Sequence, residues 1–515
     1  INGESEYGIT WHAIVPGIDE GDILLQVDIP IASDETSLSL NTKCFAAALE
    51  SFPKLIQGVQ DGTLQPVPQD LGQRQYYSRN RRPDNAGVLD FSQPAGLLEA
   101  LVRALEFGNY PNPLGSAKLL THKGAWIVRG AVERDGNGTP GTLLAINEGE
   151  LEVATGEGSL VITDLTDLYG IAQAISTVAT DMGWQVGDSL GCLDENTQAM
   201  LKTLAGQTAS GEDFWLARLS DPAVCDLPIG GSLSDGGVST DIRIQPVESA
   251  KGEIDEGAAV AALGILLARL GGIESIDLPL LDGPTVNTDI SALVSPVLRL
   301  RVAAPADASL HSIADSVTEE IERVRARGPW LRDLVARQPE LLSDVAPLTV
   351  GVALKVDAGF PASLEDALKS DTRLVLMSDK QGMLSFAYNN HAVESTAVER
   401  LSNQYARVLE RLQTHANESV RDVELLSEGD RQRLIHEWNN TKSEFSEQCI
   451  HVLFAEQAKR TPDAIALVFE NRHLTYSELD RQANRLAWLL SEKGVGPDTL
   501  VGVYVERSLD LMVST

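Results

Sequence analysis

Apolar and polar residues alternate over 8–15 and again over 23–29, with a Pro-Gly-Asp loop between the two stretches. That period predicts two strands. The period then changes. In DETSLSLNTKCFAAALESFPKLIQGVQDG (34–62), Phe45, Leu49, Phe52 and Ile56 recur at helical spacing. Thr36 is placed to cap the first turn of this helix, and Gly58 and Gly62 to end the last. Strand, strand, helix suits the tail of an α/β domain.

Residues 64–88 are polar and proline-bearing and read as a linker. Their basic knot, Arg79, Arg81 and Arg82, reads as solvated, with an anion or partner contact as the other reading. AGLLEALVRALEF (95–107) predicts a short helix. The β-type segments 124–133, 142–146, 150–154 and 159–163, split by Gly- and Asp-rich turns, predict a small barrel or sandwich. GNGTPG (136–141) spells GxGxxG, but Pro140 sits inside it and no helical pattern follows, so it reads as a hairpin turn.

Residues 167–210 form a mixed helical connector. Beyond it, 258–272 is a buried-type helix stopped by two glycines, and Leu310, Ile313, Val317, Ile321 and Val324 share one face of a helix over 309–327. LTVGVALKV (348–356) alternates, which predicts one buried face. RLVLMS and MLSFAYN flank a turn at Asp379–Gly382, and Val398, Leu401, Tyr405, Val408 and Leu412 face inward from a helix over 394–413. Together these make a large α/β or α+β lobe. A capped helix at 427–441 leads into a polar linker. A last unit follows: helix 450–460, strand 464–469, Leu474 in a strand, a helix opened by a Thr475–Glu478 capping box, and a strand at 500–505.

A length of 515 residues suits three or four domains, and 43% hydrophobic with 22% charged residues is ordinary for a soluble protein with sizeable cores. No apolar run approaches the ~18 residues of a membrane span, and no basic-then-apolar leader opens the chain, so no membrane partner is expected. The chain opens at Ile1 and stops at Thr515 inside unfinished patterns, so the first and last units are expected to be pieces of larger domains. The formal net charge of −33 repels phosphate backbones and argues against nucleic acid as a partner. Cys44, Cys192, Cys225 and Cys449 lie far apart without a CxxC, which fits reduced thiols and a cytoplasmic location. The eight histidines show no metal-ligand spacing, so no metal site is expected.

NGESEYGIT (2–10) and GIDEGDILLQ (17–26) resemble the catalytic domain of the formyltransferase family, which includes methionyl-tRNA and sugar-amine formyltransferases. In that family an Asn-x-His pair before Ser-Leu-Leu-Pro stands upstream, and the acid of the Gly-x-Asp-x-Gly-Asp loop completes the catalytic set. Carried over, that acid is Asp19. The resemblance implies an amine attacking the formyl carbon of 10-formyltetrahydrofolate, an oxyanion held by Asn and His, and a carboxylate that orients the His and helps remove the amine proton. Without the family the same carboxylate reads as an Asx-turn residue, and Asp22 as a loop terminator. Asn389/His391 and Asn471/His473 have the Asn-x-His spacing without Ser-Leu-Leu-Pro and are read as chance. His391 is expected to be structural, and the chain as it stands is not expected to transfer formyl groups.

ALEFGNYPNPLGSAKLL (104–120) resembles the C-terminal barrel-like domain of the same family, in versions fused to peptide synthetases. Acidic residues outnumber basic ones roughly two to one over 1–165, the reverse of what a tRNA-binding barrel needs. DFWLARL, LGILLARLGG, VLRLRV (297–302), RGPWLRDLVAR (327–337) and LSFAYNNHAVESTAVERL (384–401) resemble, in order, the second lobe of a nonribosomal peptide synthetase condensation domain, a chloramphenicol-acetyltransferase-like fold. The His-His-x-x-x-Asp-Gly segment that such catalysis needs is not in the sequence, which implies a vestigial lobe. The partner face of a lone lobe is expected to be apolar and to pack on the barrel or on the adenylation core. FAEQAKRTPDAIALVF (454–469), LTYSELDRQANRLAWLL (474–490) and VGVYVERSLDLMV (501–513) resemble the start of an adenylation domain.

The fold expected is therefore multidomain α/β and α+β. Residues 1–70 are the tail of a formyltransferase α/β domain, 88–166 its small β-barrel-like domain, 167–207 a connector, 208–430 one truncated condensation-like lobe, 431–447 a linker and 448–515 the start of an adenylation α/β domain. The resemblances imply a fragment of a synthetase loading module. It would activate an amino acid with ATP and Mg2+, load it on the phosphopantetheine of a downstream carrier domain and formylate its amine from 10-formyltetrahydrofolate. The alternatives are a free-standing amine formyltransferase and a non-catalytic scaffold between two catalytic domains.

Overall fold

The computed structural model describes residues 3–73, 75–225, 241–248, 254–281, 289–341, 348–356, 368 and 372–515. β1 (Glu6–His12) and β2 (Ile23–Pro30) pair antiparallel, with Tyr7 opposite Ile29 and Thr10 opposite Gln26. β1 stops at His12 rather than running on to Val15, because the Ala13 N–H turns onto Asp22 O at 3.0 Å and closes a loop. α1 (Ser37–Asp61) starts at Thr36, whose side chain accepts from the Ser39 N–H while the Ser39 hydroxyl accepts from the Thr36 N–H; it ends at Gly62, with φ 64°. Ser51 Oγ accepts from Trp11 Nε1 at 2.9 Å, and with buried Leu55 this seats α1 on the hairpin. One hairpin covers one side of a helix. Phe45, Leu49, Phe52 and Ile56, the row at helical spacing, lie exposed.

α2 (Ala95–Ala104) packs on an antiparallel sheet of β3 (Lys118–Thr121), β4 (Gly124–Arg134), β5 (Leu143–Ile146), β6 (Leu151–Ala154) and β7 (Ser159–Thr166). The spatial order is β3-β4-β7-β6-β5, and a short β8 (Ala172–Gln173) pairs with β7. Leu98 and Val102 meet Leu119, Leu151, Leu160 and Ile162 in its core. β4 neighbours β3 and β7, so GNGTPG is not the tight hairpin turn of the sequence reading; it carries the chain past two strands to β5. β3 is four residues long and gives too short a pattern to be read from sequence.

After α3 (Ile175–Met182), α4 (Glu195–Ser220) opens on an Asp194 cap and runs without a break through 207 and 208, where the sequence reading divides connector from lobe. A second sheet follows, of β9 (Ile242–Pro246), β10 (Ser275–Leu280), β11 (Leu298–Ala303), β12 (Val350–Val356), β13 (Leu374–Asp379) and β14 (Leu384–Asn389), in the order β11-β10-β12-β13-β14-β9. β12 runs parallel to β10 and β13, and the other pairs are antiparallel. α5 (Glu256–Gly271), α6 (Leu310–Arg327) and α8 (Ser395–Thr414) supply its core, with the short α7 (Asp333–Ala336) between. The five α6 residues and five α8 residues picked out by periodicity are all buried. β12 corrects its one-sided reading, since both faces are buried. Val352 and Leu354 join the helices, and Ala353 joins Leu281, Val375 and Ala387 on the opposite face.

The two sheet-bearing parts share a buried seam. Ala86, Val88, Leu201, Leu204, Leu293, Val294 and Leu331 form one apolar cluster across it. Asn112 and Arg337 bond reciprocally, Asn112 N to Arg337 O and Arg337 Nη1 to Asn112 O, both at 2.9 Å. Glu212 takes Arg82 at 2.6 Å and also pairs with Arg337. Arg82, read as solvated from sequence, is therefore buried in an ion pair, and its neighbour Arg79 reaches Asp213 at 2.9 Å.

Contacts divide the chain into two units, Ile1–Leu425 and Leu426–Thr515. In the second, α9 (Glu428–Gln432) continues into one π-turn (Arg433–Glu437), so the capped helix of the sequence reading is short. α10 (Ile450–Arg460), the β15 (Ile465–Phe469)–β16 (Arg472–Thr475) hairpin, α11 (Tyr476–Glu492) and α12 (Leu509–Val513) enclose Leu474, Leu479 and Leu509. The Thr475–Glu478 capping box is present. The strand expected at 500–505 is absent: these residues pair with no strand among those described, and Leu500 and Tyr504 are fully exposed. A strand needs a neighbour for its N–H and C=O groups. Among the described residues no helix is long and apolar enough to cross a membrane.

Candidate functional site

The loop from Ala13 to Asp22 is built by its ends and by one glycine. Ala13 N and Asp22 O close it, and Ile23 and Val67 exchange backbone bonds at 2.8 and 2.9 Å beside it. A Cβ on Gly21 would fall 1.8 Å from Ala13 O, so only glycine allows this approach. Within the loop Asp19 has φ 53°, a left-handed conformation that costs a non-glycine residue free energy unless its surroundings hold it.

Asp19 Oδ1 lies 3.4 Å from His12 Nε2, the last residue of β1. The carboxylate is 76% accessible and the His12 side chain 28%, so the pair is open on one side. His12 Nδ1 sits 3.0 Å from Ala13 O, an acceptor, which places a hydrogen on Nδ1. Nε2 is left facing the Asp19 carboxylate beside an open surface. Gln69 Nε2 donates to Asp19 O at 3.1 Å and also to Gly21 O.

The sequence reading singled out Asp19 and missed His12 and Gln69. His12 carried a signal, a histidine closing an alternating run seven residues before the acid. Gln69 carried none, because its segment read as linker. Asp22 acts through its backbone carbonyl in closing the loop. Asn389 and His391 stand apart from this loop: Asn389 Oδ1 accepts from the His391 N–H at 3.1 Å, and the His391 side chain is exposed. His473 is exposed on β16. Among the described residues no cluster of three His, Cys, Asp or Glu could hold a metal ion, and no disulfide links the four cysteines. Residues 454–515 contribute most of α10, all of α11 and α12, and the β15–β16 hairpin.

Residues 83–179 match the family model of the formyl transferase C-terminal domain, and residues 454–515 that of the AMP-binding enzymes. A linear gramicidin synthase of Brevibacillus parabrevis is 40% identical over 141 residues, 27% of this chain and 3% of its own length. Among solved structures, the nonribosomal peptide synthetase FmoA3 with bound α-methyl-L-serine-AMP matches at 17% identity and a TM-score of 0.42, over 67% of this chain and 43% of its own. The N-formyltransferase of Helicobacter canadensis, in complex with folinic acid and dTDP-3-aminofucose, matches at 22% identity and a TM-score of 0.27, over 32% and 58%. The chain thus spans a few per cent of the length of its curated relative. The matches support a peptide-synthetase fragment that carries a formyltransferase part.

Proposed function

We propose that this chain is a segment of a peptide-synthetase loading module in which a formyltransferase part caps the amine of an amino acid held on a carrier phosphopantetheine. The observation that carries the reading is the order of parts on one chain. A turn presenting Asp19 beside His12 comes first, then the formyl transferase C-terminal match, then the start of an AMP-binding match.

Bound 10-formyltetrahydrofolate would supply an electrophilic one-carbon unit. What this chain supplies is Asp19, an accessible carboxylate that fits the acceptor amine, takes up its proton and balances its positive charge, with His12 behind it. ATP and Mg2+ would serve the full-length protein, as the AMP-binding match over 454–515 suggests, and among the described residues no group of three His, Cys, Asp or Glu would hold the metal. The proposed divisions are 1–70, 88–166, 167–207, 208–430, 431–447 and 448–515. Formyl transfer is tested in the full-length natural protein by loading the carrier, adding the formyl donor and weighing the pantetheine-bound product. A mass gain of one formyl group is expected, and loading without formylation in the presence of donor overturns the reading.

The scaffold reading of 208–430 is favoured by one observation, the buried seam in which Arg337 bonds Asn112 of the β-rich part and Glu212 takes Arg82. The AMP-binding match argues against a free-standing formyltransferase.

A further inference from the structure

We infer that Gln69 is a positioning residue for Asp19. The inference rests on the reading of Asp19 as the formyl-transfer acid and adds a residue that acts on it through the backbone. Gln69 lies in the segment that sequence alone marks as linker. Paired bonds between Ile23 and Val67 lash that segment to the start of β2, and two residues on, the Gln69 carboxamide reaches the acid's turn. There it meets two carbonyls, that of the left-handed residue itself, Asp19 O, and that of Gly21, two residues on.

The two bonds pin the peptide that follows Asp19 and the carbonyl of Gly21 to one donor group, and so hold the Asp19 Cα where its carboxylate faces His12 Nε2. If Asp19 relaxed to an ordinary conformation, its carbonyl would swing away and its Cα–Cβ bond would turn the carboxylate off His12 Nε2. Gln69 therefore opposes the relaxation that non-glycine residues favour here. A carboxamide suits the task because its NH2 carries two hydrogens for two acceptors. Glutamate has the same shape and brings acceptors against acceptors.

Three substitutions test this. Gln69→Glu keeps size and reverses polarity, Gln69→Lys keeps donation, and Asp19→Asn reports on the acid itself. The first readout is amide hydrogen exchange over residues 13–22 in the 515-residue chain. Gln69→Glu should raise exchange at Ala13, whose N–H bonds Asp22 O, about tenfold, and Gln69→Lys should restore much of the protection. The second readout is formyl transfer in the full-length protein. There Gln69→Glu should lower kcat about tenfold while KM for the acceptor stays within about twofold, since the group displaced acts on the chemical step. Native exchange and native kcat in Gln69→Glu overturn the inference. Slow transfer with Asp19→Asn but unchanged transfer with Gln69→Glu also overturns it and leaves Asp19 standing. Altered exchange in Gln69→Glu with full transfer by Asp19→Asn overturns the catalytic reading of Asp19 and keeps the hold of Gln69 on the turn.

Discussion

Lys118 Nζ lies 2.8 Å from Asp333 Oδ2, and neither side chain is reached by solvent. Lys118 comes from β3 and Asp333 from α7, so the pair ties the β-rich part to the six-stranded part. The ammonium is satisfied threefold, by Asp333, by Ala86 O at 3.0 Å and by Ser116 O at 2.9 Å. Asp333 Oδ2 also accepts from the Ser116 N–H at 3.1 Å, while Oδ1 has no hydrogen-bond partner among the described residues. Burial alone would push the Asp333 carboxyl up, but Lys118 and Arg337 beside it outweigh burial and hold it below its ordinary value.

Removing one member of such a pair strands the other. Asp333→Ala should cost about 3–5 kcal/mol, because Lys118 would stay buried without a counter-charge, whereas Lys118→Met with Asp333→Leu should cost far less. Urea melts of both variants measure this, and a loss below about 1 kcal/mol for Asp333→Ala would contradict the burial of the pair. The sign with pH follows from a depressed carboxyl. Its contribution is complete above the unfolded-state pKa and is lost as pH falls below it. The wild type should therefore lose more stability on acidification than the double variant.

What could be read in advance depended on range. The buried row of α6, Leu310 to Val324, and the Thr475–Glu478 cap are set within a few residues and were legible. Lys118, inside SAKLL, looks like any strand lysine, because its partner lies on a helix far along the chain. Arg82 misled for the same reason: a basic residue in a polar stretch reads as solvated until Glu212 is brought to it. In the candidate site Asp19 was visible because its loop has a sequence signature. The hold of Gln69 on it is a contact between a side chain and carbonyls 48 and 50 residues away, which no local pattern encodes. The 500–505 run has the composition of a strand but pairs with no strand among the described residues.

Glu35 offers a second pH handle. Its carboxylate accepts from Lys43, Ser39 and the Ala32 N–H, and the Lys43 and Ser39 bonds lead in pulling its pKa from 4.5 down to about 2. A folded value below the unfolded one means that the contribution is present above pH 4.5 and fades as pH falls towards about 2. Glu35→Gln should flatten the stability profile over that window and lower stability at neutral pH. Denaturant melts between pH 2 and 7 check it. Parallel profiles for wild type and variant would rule out this role.

The apolar row of α1 makes a different prediction. Phe45 and Leu49 are 72% and 76% exposed, and with Val59 at 61% they form an apolar strip along one helix face. Such strips bind dyes and promote self-association more than they support the fold. Phe45→Lys with Leu49→Gln should lower the fluorescence of bound anilinonaphthalene sulfonate and the tendency to aggregate, with the urea midpoint moved by less than about 0.5 kcal/mol equivalent. A large loss of stability would mean that the strip is covered in solution.

Asp19 itself separates stability from function. Its left-handed φ of 53° is a conformation that glycine adopts without strain. Asp19→Gly removes the strain and the carboxylate together. Expected gains from strain relief are about 1 kcal/mol, and they should exceed what is lost with an exposed contact to His12 at 3.4 Å. The variant should therefore melt at an equal or higher urea concentration and transfer no formyl group in the full-length protein. Asp19→Ala distinguishes the two effects, because it deletes the carboxylate while keeping a Cβ in the strained position. It should be no more stable than the wild type and just as inactive as Asp19→Gly. If Asp19→Gly instead lowers stability, the turn is held by the aspartate side chain rather than imposed on it. If either variant keeps full transfer, the strain at this position has an origin other than catalysis.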